Sequence, residues 1–289
     1  YGYFSHADVS LTETVSVSGG VRKDFAKFSF KSIDTGVTGS SKTDEDLYTV
    51  GVNYIFGENS SVYAGYSKSF RYPHLDERFD RISNVVNADL VEQSSDDFEV
   101  GLRYGTESGL NFGVNLFHIV TENELLYNPA TGMFGANENL DGDTVRRGVE
   151  LSASKELFNI LFKGGYTYID ADIDGGQYDG KEFPYVPKHQ LAVGAQRKLG
   201  ERLVLGLNGT YVGERRMISD FDNVHERVDD YFYVTSKLTY LLNQGSVYVA
   251  VNNLLNEEYS EYVVAGSSGA EAFYPSPEIN FVVGADFRF

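Results

Sequence analysis

Residues 47–56 read LYTVGVNYIF and alternate between two kinds of side chain. The apolar or aromatic side chains of the even positions fall on one side of an extended strand, and the small polar ones at 49, 51 and 53 fall on the other. A period of two residues is the signature of a strand with one apolar face. This stretch therefore predicts a β-strand that separates an apolar medium from a polar one.

The same alternation recurs along the whole chain, for example in DFEVGLRY (97–104), RRGVELSAS (146–154) and SVYVAVNN (246–253). No long segment shows the helical period. The pattern predicts an all-β protein of about thirteen strands. They lie near 1–11, 14–32, 46–56, 60–71, 96–106, 109–121, 146–156, 159–171, 188–198, 202–215, 230–241, 246–254 and 278–289.

The connections between these strands alternate between short turns and long links. A compact soluble domain rarely contains many long links without structure of their own. Outer-membrane barrels have short turns on the periplasmic side and long loops outside. The order therefore favours a transmembrane antiparallel β-barrel. The long links are 33–45, 72–95, 122–145, 172–187, 216–229 and 255–277.

The strand lengths and the aromatic content fit a membrane partner. Many strands span close to ten residues, which is what a tilted strand needs to cross a bilayer. The chain has 21 Tyr and 20 Phe, and several apolar faces end in one of them, as interfacial aromatic girdles require. A sheet of this size with one apolar face must cover that face with lipid or a second sheet. We expect outer-membrane lipid.

Composition excludes several classes of function. The net charge of −18 disfavours nucleic acid, which needs a basic surface. Without Cys, the chain has no thiolate chemistry or disulfide framework. The five His are scattered, and with two Met a soft copper site is disfavoured. No catalytic constellation can be argued from spacing, so we predict no enzyme, no cofactor and no metal site.

The last predicted strand, INFVVGADFRF (279–289), carries apolar residues at alternating positions up to its final residue. This pattern resembles the C-terminal signal that hands outer-membrane proteins to their assembly machinery. A buried edge strand of a soluble β-protein is the alternative. The residues that match the signal are Phe281, Val283, Ala285, Phe287 and Phe289.

Four segments together resemble the TonB-dependent outer-membrane receptors. YAGYSKSFRYPHLDERF (63–79) resembles the family's aromatic-Arg-x-Pro box, and NADLVEQSSDDFEVGLRY (87–104) its Asn-x-x-Leu and Glu-x-Gly-x-Arg-Tyr pattern. NENLDGDTVRRGVELSAS (137–154) resembles the Arg-Gly-Val-Glu segment, and VAVNNLLNEEYSEY (249–262) the Asn-Leu-x-Asn-x-x-Tyr of the penultimate strand. They follow the family order and cover about residues 45–289.

The resemblance implies the C-terminal portion of a 22-stranded barrel with a plugged lumen. Residues 1–289 then form about thirteen of its strands. The plug domain, its TonB-contacting box and the first strands find no match here, so we expect them on another chain or removed. The resemblance implies a Gram-negative outer-membrane receptor. It would pass a scarce nutrient, most simply a ferric siderophore, through the barrel with energy from TonB acting on the plug.

Ligand-binding residues are expected in the long links, because loops on a rigid scaffold carry binding. Aromatic faces could stack a flat ligand, and Arg could pair with an anionic ferric chelate. Packing of loop against loop is the alternative for each residue, and a structural role is favoured for Arg71. The candidates are Arg71, Tyr72, His74, Tyr127, Phe134, Tyr178, Tyr185, Arg215, Arg216, Phe221, Tyr262 and Tyr274.

Other functions stay open at this point. A self-contained porin-like channel of 12 or 14 strands would also explain the alternation, and a soluble carbohydrate-binding or adhesion protein would explain the β content. Within the family, haem, cobalamin and glycan receptors are alternatives, and His74 next to the aromatic-Arg-x-Pro box is the reason to weigh haem. The acidic stretches NLDGD (139–143) and DADIDGG (170–176) could hold Ca²⁺ through carboxylate and carbonyl oxygens, but they match no full calcium-loop pattern. Solvated loops, or cation bridges to lipopolysaccharide, are the alternative.

Overall fold

Thirteen antiparallel strands form one sheet in which spatial order follows chain order. The computed structural model describes residues 1–31, 33, 36, 38–80, 85–87, 89–128, 135–265 and 270–287. The strands are β1 Gly2–Ser10, β2 Val15–Lys31, β3 Thr38–Gly57, β4 Ser60–Arg71, β5 Gln93–Gly105, β6 Asn111–Glu122, β7 Asp143–Leu157, β8 Ile160–Asp174, β9 His189–Leu199, β10 Leu203–Val212, β11 Tyr231–Leu242, β12 Gly245–Asn252 and β13 Asn280–Phe287.

The predicted strand count and order are confirmed, because each predicted strand overlaps one observed strand. Side chains from β1 to β9 line one cavity of about 1220 Å³, so the polar face of the sheet is concave. Within the described residues, β1 pairs with β2 and β13 with β12, and the sheet is open between β1 and β13. Both edges therefore present unpaired backbone groups.

The convex face is apolar and exposed. Val50 on β3 is 53% exposed, Val100 on β5 56% and Val283 on β13 80%. The strands that carry these valines are regularly paired in the sheet. The exposure of the valines is therefore not caused by local disruption and is a property of the whole face. An apolar face of this extent must contact lipid rather than water.

The prediction for link 33–45 was wrong in part, because β3 already begins at Thr38. The β2–β3 hairpin keeps an unbroken register up to Lys31 opposite Thr38. Above the apolar band its convex face becomes charged, where Lys23 contacts Asp44 and Asp46 across the strands. With polar residues on both faces, this part of the strand loses the apolar alternation that sequence reasoning depends on.

Among the described residues, three of the other long links (72–95, 122–145 and 255–277) carry short elements of their own. A single helical turn, α1 Leu75–Arg78, follows β4, and each of these three links contains one short hairpin. No helix among the described residues is long and apolar enough to cross a membrane. The hairpins pair Phe79–Asp80 with Val85–Val86, Leu125–Asn128 with Ala136–Asn139, and Ser260–Ala265 with Glu271–Pro275.

The glycine of the Glu-x-Gly-x-Arg-Tyr segment has a packing role. The ring of Tyr63 on β4 lies over Gly101 on β5, where a Cβ atom would stand 2.3 Å from the ring. The guanidinium of Arg103 lies 4.4 Å from the centre of the same ring, and the Tyr63 hydroxyl donates to Asn115 at 3.1 Å. Gly101 therefore leaves the space that the Tyr63 ring occupies on the concave face.

Replacing Gly101 with Ala is expected to displace Tyr63 and destabilise the barrel by about 1–3 kcal/mol. The measurement is the temperature at which the folded, heat-modifiable form is lost on an unboiled gel. Gly19→Ala is the matched control, because a Cβ atom there meets nothing nearer than 4.0 Å. If the two variants lost the folded form at the same temperature, the packing role of Gly101 would be contradicted.

Candidate ligand-binding surface at the long-loop end

Four loops meet at the end of the sheet opposite the tight turns. We call residues 123–142 loop A, 175–188 loop B, 213–230 loop C and 253–279 loop D. Loop A follows β6, loop B follows β8, loop C follows β10 and loop D follows β12. Their described residues contact one another rather than stand apart, so the loops form a joint cap.

Two small apolar cores hold the cap together. The first combines Leu140, Ile173, Tyr178 and Phe221, with Phe183 packed against it among others. Tyr178 and Phe221 are 9% and 6% exposed and their ring centres lie 5.3 Å apart. These two candidate ligand residues therefore pack loop B against loop C. Burial raises the pKa of the Tyr178 hydroxyl.

The second core joins loop C to the hairpin of loop D. Met217, Val228 and Val263 are 2%, 8% and 0% exposed and contact one another. The backbone supports the same junction, because the Ile218 amide donates to the carbonyl of Val263 at 2.9 Å. The two cores together make loops B, C and D one packed unit.

Glu182 of loop B is the ionic centre of the cap. Its carboxylate accepts from Arg227 at 2.7 Å and from Arg216 at 3.1 Å, and Lys188 lies 3.1 Å away. Burial alone raises the pKa of this carboxyl group. The bonds from Arg227, Lys188 and Arg216 outweigh that effect and lower the pKa to about 2. The candidate residue Arg216 also donates to the His225 carbonyl at 3.0 Å.

The depressed pKa of Glu182 predicts an acid-labile cap. The ordinary value is 4.5 and the value in the folded cap is about 2. The stabilisation by the ionised carboxylate is therefore complete above pH 4.5 and is lost as the pH falls towards 2. Hydrogen-exchange protection factors of loop B amides should fall across this window. A Glu182→Gln variant should lack that dependence, and an identical profile in both proteins would contradict the assignment.

Arg215 is a buried clamp rather than a surface cation. The residue is 3% exposed, and its Nη2 donates to the carbonyls of Ser260 and Glu261 at 3.0 and 2.9 Å. Its guanidinium lies 5.4 Å from the ring centre of Tyr185 and 5.5 Å from that of Tyr231. Arg215 therefore joins loops B, C and D to strand β11.

Arg146 fixes loop A to the same cap. Its Nη2 donates to both carboxylate oxygens of Glu124, at 2.7 and 2.9 Å, and its guanidinium stacks 4.8 Å from the Phe183 ring centre. The carbonyl of Tyr127 accepts from Ser219 of loop C at 3.1 Å, and the Tyr127 side chain is 47% exposed. This candidate ligand residue lies at the outer rim of loop A.

The aromatic-Arg-x-Pro box forms a local structural unit after β4. Arg71 donates to both oxygens of Glu77 at 2.9 and 2.8 Å, and Glu77 accepts from the His74 amide at 2.6 Å at the start of α1. The Tyr72 ring packs edge-on against Phe70 at 4.6 Å, and the His74 side chain is exposed. This geometry favours the structural role of Arg71.

Three tyrosines give the cap an exposed aromatic surface. Tyr185, Tyr262 and Tyr274 are 37%, 45% and 56% exposed. The ring centres of Tyr185 and Tyr262 lie 6.2 Å apart, and those of Tyr262 and Tyr274 lie 5.1 Å apart. The hydroxyl of Tyr185 donates to the carbonyl of Glu261, which fixes this ring on loop D. We call these three residues the tyrosine surface.

Two predicted residues cannot be placed. Phe134 of loop A and Phe289 of the assembly signal lie outside the described residues. The ligand roles of all the candidate residues stay predictions. In the described part of the chain, no group of three or more His, Cys, Asp or Glu side chains is placed to hold a metal ion.

Comparison with known proteins identifies the family. The family model for the TonB-dependent receptor-like β-barrel matches residues 1–254, which is most of the chain. The chain belongs to this family. It is an outer-membrane β-barrel protein of the Gram-negative type, and its thirteen strands are part of a TonB-dependent receptor barrel. This confirms the resemblance seen in the four sequence segments.

Curated relatives are receptors and transporters. The chain is 27% identical to the ferrichrome outer membrane transporter and phage receptor of Escherichia coli K12, over 98% of the chain and 37% of that protein. It is 22% identical to the probable TonB-dependent siderophore receptor PiuA of Acinetobacter baumannii, over 81% of the chain and 33% of that protein. The chain thus spans about a third of the length of these relatives.

Solved structures show the same barrel fold. The ferric-catecholate import receptor Fiu of E. coli K12 superposes with a TM-score of 0.74 at 21% identity, covering 100% of this chain and 44% of that one. PiuA of A. baumannii superposes with a TM-score of 0.77 at 19% identity, covering 99% and 42%. At these identities the likeness establishes the fold of this TonB-dependent receptor chain.

Sequence reasoning missed the centre of the receptor's cap. Glu182, Arg146 and Arg227 were not among the candidates, and they hold the loops together. The partners of Glu182 lie 34 and 45 residues away on loop C. No local spacing marks such a pair. The available signal was the rarity of Lys and Arg among the acidic loops, because each base there has several acids with which to form an ion pair.

Proposed function

We propose that this chain forms the C-terminal part of a receptor that imports a scarce nutrient, most simply a ferric siderophore, with energy supplied by TonB. The proposal is supported chiefly by the family match over residues 1–254, together with relatives named as ferrichrome and siderophore receptors. In this proposal the barrel contributes the scaffold and the outer binding surface. It performs no covalent chemistry and is not an enzyme.

The tyrosine surface is the proposed site of first contact with the ligand. It is exposed, it is aromatic, and the two cores and the Arg215 clamp hold it on a rigid base. Rigid aromatic anchors recognise ligands with little loss of conformational entropy. Tyr127 and His74, at other positions of the loop end, are further proposed contacts.

The rest of the barrel and the plug come from polypeptide beyond these 289 residues. The open edges of β1 and β13 support this part of the proposal, because an antiparallel barrel must pair every strand. The polar concave face offers the wall against which a plug can pack. A separate chain that carries the plug, the first strands and the TonB contact is the arrangement we expect.

A corrinoid is the second candidate ligand. The chain is 23% identical, over 85% of its length, to the vitamin B12 transporter BtuB of Vibrio cholerae, of which it covers 37%. Corrinoids present a large, flat, mostly uncharged face that aromatic side chains can stack on. This similarity supports a second version of the proposal, in which the same transport mechanism carries a corrinoid instead of a ferric siderophore.

Uptake of labelled iron by whole cells tests the proposed function. Cells that produce the receptor should take up a ferric chelate, and deletion of its gene or collapse of the proton gradient should abolish uptake. Labelled cobalamin in the same assay distinguishes the second candidate. Energy-independent entry of small sugars through this protein, with no saturable uptake of iron or corrinoid, would contradict the proposal and indicate a porin.

A further inference from the structure

We propose that the tyrosine surface takes a ferric chelate without net negative charge and rejects anionic ones. The inference rests on the proposed function and narrows its ligand class. It rests on where the structure places the charged side chains of loops A to D.

Four of the five basic side chains of the four loops make ion pairs or hydrogen bonds to other residues of the cap. Arg216, Arg227 and Lys188 surround Glu182, and Arg215 is buried against carbonyls and aromatic rings. Among the described residues of these loops, Lys181 is the one base that is exposed and has no ion pair. The arginines expected to grip an anionic chelate are therefore committed to structure.

The acidic side chains of the same loops face solvent. Loops A to D contain sixteen Asp and Glu against five Lys and Arg. Eleven of the sixteen acids are exposed, against the single exposed base. The exposed acids include Asp222 and Glu226 of loop C and Glu261 of loop D. Among the described residues, the carboxylates of these three make no ion pair that holds the cap together. The outer surface therefore carries a strongly negative field.

The tyrosines add to the same preference. The face of an aromatic ring carries partial negative charge, so it attracts cations and repels anions. Arg215 lies behind Tyr185, yet it is 3% exposed and its charge is shared with two carbonyls. A flat ligand on these rings thus meets negative potential from the rings and from the exposed carboxylates of the four loops.

Calorimetric titration with three ferric chelates of similar size tests the inference. The receptor is purified with all polypeptide that co-purifies with it. The chelates are a triply negative tris-catecholate, an uncharged tris-hydroxamate and a tris-hydroxamate that bears one ammonium group. We expect the anionic chelate to bind at least about tenfold more weakly than the uncharged one at low salt. Raising the salt from about 0.05 M to about 0.5 M should tighten the anionic chelate and weaken the cationic one.

Charge variants assign the effect to this surface. The triple variant Asp222→Asn, Glu226→Gln, Glu261→Gln should tighten the anionic chelate about tenfold and leave the uncharged one unchanged. The matched control Glu58→Gln, Glu107→Gln, Glu201→Gln changes the net charge equally in the tight turns, and should have no effect.

The outcomes separate the two proposals. Tightest binding by the anionic chelate, weakened by salt, would overturn the inference and leave the proposed function intact. Equal effects of the two triple variants would also overturn it, because the discrimination would then be non-local. Failure of all three chelates to bind would overturn the proposed ferric cargo and this inference with it.

Discussion

Replacing Glu182 with Gln is expected to loosen loops B and C by about 3 kcal/mol. Glutamine keeps the volume but removes the charge that Arg216, Arg227 and Lys188 share, so three partly buried cations lose their common partner. Local opening is the quantity affected, since the barrel strands have their own hydrogen-bond ladder. Hydrogen exchange of loop B and loop C amides should therefore accelerate about a hundredfold, with the β-strands unchanged.

Glu258→Gln is the matched control for this prediction. Glu258 is exposed on loop D and makes no ion pair among the described residues. Its replacement should leave exchange in all four loops within the error of the experiment. Unchanged exchange in the Glu182 variant would mean that the two apolar cores alone hold the cap.

Replacing Arg215 with Leu is expected to release the loop D hairpin by about 2–4 kcal/mol. The carbonyls of Ser260 and Glu261 would lose their donor, and the Tyr185 and Tyr231 rings would lose the guanidinium between them. Exchange should accelerate in Ser260–Ala265, and ligand affinity should fall because Tyr262 is no longer held. An Arg215→Lys variant should behave similarly, since an ammonium group cannot replace the planar fork.

Arg202 offers the control, because it lies exposed in a tight turn at the opposite end of the sheet. Arg202→Leu should change neither loop exchange nor affinity. The informative contrary result is an Arg215→Lys receptor that loses affinity while loop D stays fully protected. Arg215 would then contact the ligand, and the clamp assigned here would be wrong.

The barrel could be predicted from the sequence because its physical cause is local. Each strand that separates lipid from a polar lumen must alternate, and 47–56 does so within ten residues. Outside the lipid-facing band a strand is not required to alternate, and the sequence pattern no longer identifies it. Residues 38–45 of β3 stand above the apolar band with charge on both faces, so the alternation that would mark them as a strand is absent there.

The cap could be predicted only as a collection of loop aromatics and arginines. Its contacts join residues far apart in the chain, such as Ser219 with Tyr127 and Tyr185 with Glu261, which are 92 and 76 positions apart. Sequence gives no means of telling a tyrosine that packs inward, such as Tyr178, from one that faces solvent, such as Tyr262. The distinction arises from which loops reach each other.

We expect these 289 residues to be one part of a plugged TonB-dependent receptor. Native mass spectrometry of the folded particle, released from detergent, tests it most directly. We predict a mass that exceeds the 289-residue chain by one plug domain and about nine further strands, joined to it or carried on a second chain in one-to-one ratio. A folded particle that contains the 289-residue chain alone would contradict the account, since the sheet would then have to close on itself as a porin.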